Sequence, residues 1–420
     1  MEVSYNLRYQ KSNFSNKVIL DKEGEIVIYG KGFRLKGKGG GDKGELINFS
    51  ELKEFYSRDE KVIFITFNKE KYILSDCGNL FDQMLIDLYK ARNEFLMDAL
   101  FMKGGKLKAE FEGHFERFSK FNKLINKGHA KVRLFEKSLV IVPEIQDAFA
   151  VNFDFVTFYE FDELDYFLKV VTDDGNTLHI SQLGNDYEFF QEKMDMSLGG
   201  MYEKIVNEGL KIAFQEFHAG VLLKIAYKMK NGKAASLKEI KKIDKDLATK
   251  VEEFIFDNSN LKELADSFMP KDDSYILFGI TRDETVKGSF IRWVIFVMPE
   301  KNLVGFSILP RWVEGGKSAE GQGRPCEMFF YKIIMEQGIP SEKYEDKIRE
   351  LNQSLLVLNF AKDPCYKDKR ELKHSPYQYA IRKLPYLRIL RKSFVGKIMA
   401  NNAPDFQKQA EELFAKAKLQ

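Results

Sequence analysis

Cysteine is scarce: Cys77, Cys326 and Cys365 are the only three in 420 residues. An odd, widely spaced set cannot build a disulfide framework and fits a reducing, cytoplasmic setting. The cysteines have no metal-ligand spacing, and the five histidines (114, 129, 179, 218 and 374) form no i, i+4 pair. No metal or cofactor is therefore expected. Long apolar runs are also missing. WVIFVM at 293–298 is far short of the ~20 residues that span a bilayer. The opening MEVSYNLRYQKSNFSNK has no apolar core of signal-peptide length. No transmembrane segment is expected, and peripheral attachment to an anionic membrane stays open. The net charge is only +3. A chain that coats nucleic acid along its length needs more, so any basic function must be local.

Local catalytic motifs are missing too. No Gly-x-Ser-x-Gly elbow occurs. EGGKS at 314–318 looks like the end of a phosphate loop, but Arg311 stands where that loop needs glycine. The AEGQGRPC that follows cannot start the helix whose N-terminus would hold the anion. GGGDKG at 39–44 has dinucleotide-loop spacing but lies between strands with no helix after it. The sequence leans away from an enzyme, unless a site is assembled from residues far apart in the chain.

What is present is a repeat. Slid by 106 residues without a gap, the chain matches itself: Ile26, Ile28, Phe33 and Leu35 fall on Val132, Leu134, Leu139 and Ile141. Phe49, Glu54 and Phe55 fall on Phe155, Glu160 and Phe161. ILSDCGN at 73–79 falls on HISQLGN at 179–185. A unit of that length is a duplicated domain rather than a solenoid repeat. Each copy alternates apolar and polar residues through several strands. After Gly78 and Gly184 the period becomes helical, with Asn79 and Asn185 placed as N-caps.

Strand pairs, a Phe-x-Glu-Leu/Phe step into the central hairpin and one closing helix resemble the pleckstrin-homology-like (PH-like) superfold, including its GRAM-type modules. The resemblance is one of layout and covers roughly residues 1–205. It implies binding rather than catalysis, with inositol phospholipids, short peptides or partner proteins as ligands. It also places a basic first hairpin as an anionic-ligand site, for which the first copy offers Lys31, Arg34, Lys36 and Lys38. The second copy is nearly free of positive charge there.

The second half reads differently. Residues 206–268 are helical: FHAGVLLKIAYKMKNG stops at Asn231–Gly232, Ser236 and Glu239 make a capping box, and DKDLATKVEEFIF gives a third segment. Three short lysine-flanked helices suit a helix-turn-helix or a plain connecting bundle. Residues 269–420 read as an α+β domain. It has a strand at SYILFGITRD, a hairpin around PEKN, a strand in EMFFYKIIME, a helix starting at Pro340–Ser341 and a last amphipathic helix.

Residues 366–397 carry ten Lys/Arg against Asp368 and Glu371. Tyr366, Tyr377, Tyr379, Tyr386 and Phe394 are interleaved, and aromatics can stack on unpaired bases. Arg388, Arg391 and Lys392 would share a face of a helix there. With Arg382, Lys383 and Lys397 they are the candidate contacts to nucleic acid or another anionic partner. The same pattern suits an interfacial membrane helix or a helix docked on its own domain.

The expected architecture is multidomain α+β. It comprises PH-like modules at 1–102 and 103–205, a helical connector at 206–268 and an α+β domain at 269–420. The expected function is a non-catalytic cytoplasmic adaptor with a protein partner. Nucleic-acid binding through the basic segment is the alternative. Anionic-lipid recruitment and an enzyme site in the last domain stand behind it.

Overall fold

The computed structural model describes residues 2–38, 43–229, 233–256, 272–282, 289–313, 317–318, 326–333, 342–373 and 375–419. The chain is mixed α+β and multidomain, built on antiparallel sheets. It divides into two compact units, Met1–Met194 and Asp195–Gln420.

The first unit holds two seven-stranded sheets. The first contains β1 (Val3–Ser12), β2 (Val18–Tyr29), β3 (Gly32–Gly37), β4 (Glu45–Asn48), β5 (Leu52–Arg58), β6 (Lys61–Thr66) and β7 (Lys71–Ser75). Its order is β4-β3-β2-β1-β7-β6-β5. Helix α1 (Phe81–Ala99) follows. The second contains β8 (Leu107–Phe118), β9 (Leu124–Phe135), β10 (Ser138–Pro143), β11 (Phe149–Asn152), β12 (Val156–Asp162), β13 (Phe167–Thr172) and β14 (Thr177–Ser181), and is followed by α2 (Tyr187–Ile205), within which the first unit ends. Its order is β11-β10-β9-β8-β14-β13-β12, the first one over again.

The repeat is structural, and it has gaps. From β2 to β3, and from β6 to α1, equivalent elements are 106 positions apart. Between them, β4 and β5 match β11 and β12 at 104. The β3–β4 connection is two residues shorter in the second copy, and the β5–β6 turn is two longer. Phe49 therefore corresponds to Phe153 and Phe55 to Tyr159, not to the residues a gapless slide selects. The bulges agree: Leu52 pairs with Thr66 and Val156 with Thr172, and each register slips at the next residue. Phe49 and Phe153 are both wholly buried at the 3-10 turn that swings the chain from one edge of the sheet to the other.

The matching inward positions Ile26, Ile28, Phe33 and Leu35, and Val132, Leu134, Leu139 and Ile141, are all buried. Period-2 alternation therefore fixed the core face of each copy. The helix starts differ from expectation. Asn79 and Asn185 sit inside short 3-10 turns, and the turn residues make no side-chain cap. The chain enters each turn through a left-handed glycine, Gly78 at φ +57° and Gly184 at φ +56°. The 3-10 turn takes the place of a capping side chain.

The two copies are joined by polar groups buried in α1. Arg92 has no exposed side-chain surface and makes paired bonds to Asp147, Nε to Oδ1 at 2.6 Å and Nη2 to Oδ2 at 2.8 Å. Its guanidinium also lies over the Phe55 ring at 5.1 Å. Asn93 Nδ2 donates to the carbonyls of Pro143 and Gln146, both at 3.0 Å, and Asn93 Oδ1 accepts from the Ala148 amide at 2.8 Å. Arg133 bridges Glu94 and Glu110 at 2.6 Å each. The connection folds back too: Ser138 Oγ donates to the Met102 carbonyl at 2.9 Å and accepts from the Gly104 amide at 3.1 Å.

In the second unit the sheet runs β15 (Ala235–Ser236), β16 (Ile276–Arg282), β17 (Ser289–Met298), β18 (Leu303–Val313), β20 (Cys326–Lys332), β21 (Phe394–Ala400), with β19 (Lys317–Ser318) on β18. The PEKN hairpin turns as expected, with Asn302 left-handed. The Ser236–Glu239 capping box forms with both of its bonds. The helices Ala219–Met229, Leu237–Ile243, Lys245–Ile255 and Ala403–Leu419 share one apolar core with Phe278, Val294, Phe296, Phe330 and Ile398 of the sheet. On the opposite face Trp293 packs against Phe360 at 4.6 Å and Phe329 against Tyr366 at 5.1 Å. Gly279 makes room for this: a Cβ there would lie 2.2 Å from the Trp293 ring. Residues 257–268 of the connector, Asn231–Gly232 and Pro340–Ser341 lie outside the described residues.

Removing Asp147 strands the Arg92 charge inside the joint. Asp147→Ala is expected to cost about 1–3 kcal/mol, less than breaking a fully buried ion pair, because the Asp147 carboxylate is half exposed. Urea unfolding followed by fluorescence and circular dichroism checks this. A loss below about 1 kcal/mol would show that Arg92 is rehydrated rather than buried in solution.

Candidate functional site

The tips of the β1–β2 and β8–β9 hairpins have the same backbone turn in both copies of the first unit. In the first, the Asn13 amide donates to the Lys17 carbonyl at 3.0 Å and the Asn16 amide to the Asn13 carbonyl at 2.9 Å. In the second, Ser119 donates to Lys123 at 2.9 Å and Asn122 to Ser119 at 2.8 Å. Asn16 and Asn122 are both left-handed, at φ +59° and +57°. Each tip holds out a phenylalanine, Phe14 at 76% exposure and Phe121 at 81%. Behind it stand two exposed aliphatic side chains, Val18 and Ile19 in one copy and Leu124 and Ile125 in the other.

The sequence reading passed over these residues, although a signal existed. Two adjacent apolar residues in a period-2 strand cannot both face the core. The pair recurs at the same offset of 106. Leu164, 90% exposed in the longer β12–β13 turn, has no such counterpart, because the first copy has only Asp59–Glu60 there.

The basic hairpin of the first copy is partly neutralised. Lys36 pairs with Glu25 at 3.0 Å and Lys38 with Glu23 at 2.7 Å, both across β2 and β3. Lys31 at the turn and Arg34 on β3 are exposed. Residues 39–42 of the glycine loop, residues 314–316 of EGGKS and His374 lie outside the described residues. His114 and His129 face each other across β8 and β9 with ring centres 5.6 Å apart. His179 is packed between Phe118 and Phe167, and its burial lowers its pKa. Among the described residues, no three His, Cys, Asp or Glu side chains gather where they could hold a metal ion. No described helix is long and apolar enough to cross a membrane.

The basic segment folds as the helices Gln378–Lys383 and Pro385–Ser393, followed by β21. Leu387 and Leu390 are wholly buried, so the apolar face of the second helix is docked on its own unit. Arg382, Arg388 and Lys392 are exposed. Arg391 does not share their role: its Nη1 donates to the Pro364 carbonyl at 2.7 Å, and burial lowers its pKa. Lys397 points across the sheet to Glu327 at 3.0 Å, where Lys362 also bonds, and lies 5.2 Å from the Tyr366 ring. Lys383 lies over the Tyr379 ring at 5.9 Å. Three of the five aromatics are spent on packing, and Tyr377 and Tyr386 are half-buried. Tyr366 stacks against Phe329 and Phe394 and donates to Asp363 at 2.9 Å, and Tyr379 is buried.

Comparison with known proteins finds no matching family model and no matching curated protein.

Burial governs the described thiols. It pushes Cys365 up to about 12, over the opposing bond from Tyr331, and Cys77 up to about 11. Both are expected to resist iodoacetamide at pH 8 in the native protein and to react once it is denatured, because the thiolate is the nucleophile. Peptide mass spectrometry reads each site separately. Rapid native labelling of Cys365 would mean that the helices over β20 open readily.

Proposed function

We propose that the protein is a non-catalytic adaptor whose first unit, a tandem of PH-like modules, binds a protein partner through its two hairpin tips. The repeated strand order with a helix after each sheet supports the PH-like reading. The observation that carries the binding reading is the recurrence of an exposed apolar tip in both copies, with equivalent aliphatic pairs and phenylalanines one turn position apart, on one body joined by Arg92 and Asn93.

Each tip alone is too small for a stable complex, since specific interfaces bury about 800 Å² per partner. Two tips at a fixed spacing gain affinity from each other, because the second contact is made within a complex already formed. A rigid joint strengthens this by removing the ordering cost. Neither tip alone carries the charge of a lipid-binding cluster. Polybasic lipid-binding clusters hold about four to eight Lys/Arg. The first tip offers Lys17, while Lys11 behind it is held by Glu45 and Glu70. The second adds Lys120, Lys123 and Lys127, the last beside Glu116.

Tagged full-length protein, purified from its own cells with nuclease present, tests this. Phe14→Ser with Ile19→Ser, or Phe121→Ser with Ile125→Ser, is expected to lower the recovered partner at least tenfold, and the four together to abolish it. These side chains face water, so the melting temperature should hold. Full recovery with both tips altered would sink the reading. Flotation with anionic vesicles that also depends on the tips would move it to a membrane.

A further inference from the structure

The second unit carries an electrostatic asymmetry that the adaptor reading does not use. Residues 366–397 have a surplus of eight positive charges, while the whole chain has only +3. The rest of the protein is therefore net negative by five. A fixed cationic surface on an otherwise acidic protein focuses attraction on one face.

The fold determines what that face presents. The helix Pro385–Ser393 is tied through Arg391 to the Pro364 carbonyl, in the short helix Asp363–Tyr366 that leads into the turn Asp368–Lys373. Lys369, Arg370 and Lys373 of the turn are exposed, as are Arg382, Arg388 and Lys392 of the helices. The acids of the segment are engaged locally. Glu371 accepts the Asp368 amide at 2.8 Å, Asp368 accepts the Arg370 amide at 2.7 Å, and Asp363 pairs with Lys367 at 2.8 Å.

We infer that this face, centred on Arg388 and Lys392 and extended by Lys369, Arg370, Lys373 and Arg382, binds the phosphate backbone of nucleic acid. Two structural facts select that occupant and that mode. The apolar face a membrane helix would insert is already spent, with Leu387 and Leu390 wholly buried and only Ile389 exposed beside the cations. Of the five aromatics that would stack on single-stranded bases, Tyr366, Tyr379 and Phe394 are spent in packing and Tyr377 and Tyr386 are half-buried. What remains is a set of guanidinium and ammonium groups, half of them arginines whose planar forks fit phosphate oxygens. Such a surface reads the backbone, not the sequence.

The test is fluorescence anisotropy of full-length protein with a labelled 20-base-pair DNA duplex of mixed sequence and with one of its single strands. Salt is varied from 50 to 200 mM. About four phosphate contacts give a log–log slope of about −3.6, a loss of roughly a hundredfold over that range. Duplex is expected to bind at least as well as single strand. Arg388→Gln with Lys392→Gln should flatten the slope by about two, and Arg370→Gln with Lys373→Gln by a similar amount. These side chains are exposed, and unchanged melting temperatures verify the fold. Lys397→Gln serves as the contrast: its charge answers Glu327, so the slope should stay as it is. Three results would overturn the inference: no duplex binding at 50 mM salt, equal binding by both double variants, or tighter binding to phosphatidylserine vesicles than to duplex at the same salt. A strong preference for single strand would assign the contact to bases and overturn the backbone mode.

Discussion

A single buried guanidinium makes two domains into one body. Arg92 leaves water completely, and the Asp147 carboxylate and the Phe55 ring take over its solvation. The carboxylate comes from the β10–β11 loop of the following copy. Asn93 holds the same loop and the end of β10, where its amide satisfies the carbonyls of Pro143 and Gln146 and the N–H of Ala148. Buried polar groups satisfied in this way specify geometry more than they add stability. A purely apolar joint would let the copies slide, whereas paired hydrogen bonds to named atoms fix one arrangement. The clamp exists once: 106 positions on, Arg92 and Asn93 become Leu198 and Gly199.

Fixing the copies changes what duplication can do. Two modules on a flexible link offer a second contact diluted by the link, while two on a rigid body offer it at a set distance. The inward positions of both copies kept an apolar character, as packing requires. Outward positions were free to diverge, and the basic β2–β3 hairpin did, surviving only in the first copy. The tips did not diverge in kind. Exposed Phe14 and Phe121, each backed by two aliphatic side chains, contribute nothing to either core. Their recurrence on both copies, with the phenylalanines at neighbouring rather than equivalent turn positions, is what the proposed partner binding rests on.

How much could be read beforehand depended on how local the cause was. The inward faces were readable because Val132, Leu134, Leu139 and Ile141 alternate with polar residues. The capping box at Ser236 was readable because both of its bonds span three residues. The 104-residue offset of β4 and β5 was not. Two compensating length changes in connections leave the overall period intact, and repeated Phe and Glu residues supply chance matches at the wrong register. The joint was hidden as well, because Arg92 and Asp147 look like ordinary surface charges in a helix and a loop. Only the packing of one copy on the next takes Arg92 out of water and sets the half-exposed Asp147 against it.

The basic segment shows the same limit in sharper form. A count of lysines and arginines treats ten residues alike, yet each has a different cost of being charged where it sits. Arg391 gives up solvent to bond the Pro364 carbonyl, which ties its helix to the short helix Asp363–Tyr366. Lys397 stands in a strand and shares the Glu327 carboxylate with Lys362, so a phosphate there would have to displace an ion pair already made. Arg388 and Lys392 sit one helical turn apart with water on their far side, and an incoming phosphate displaces only counterions and hydration. The partition follows from where the helix buries Leu387 and Leu390: once those two face inward, the positions of the cations around the helix are fixed. The structural and the available charges of this segment are thus separated by the hydrophobic contact between helix and sheet, not by their own chemistry.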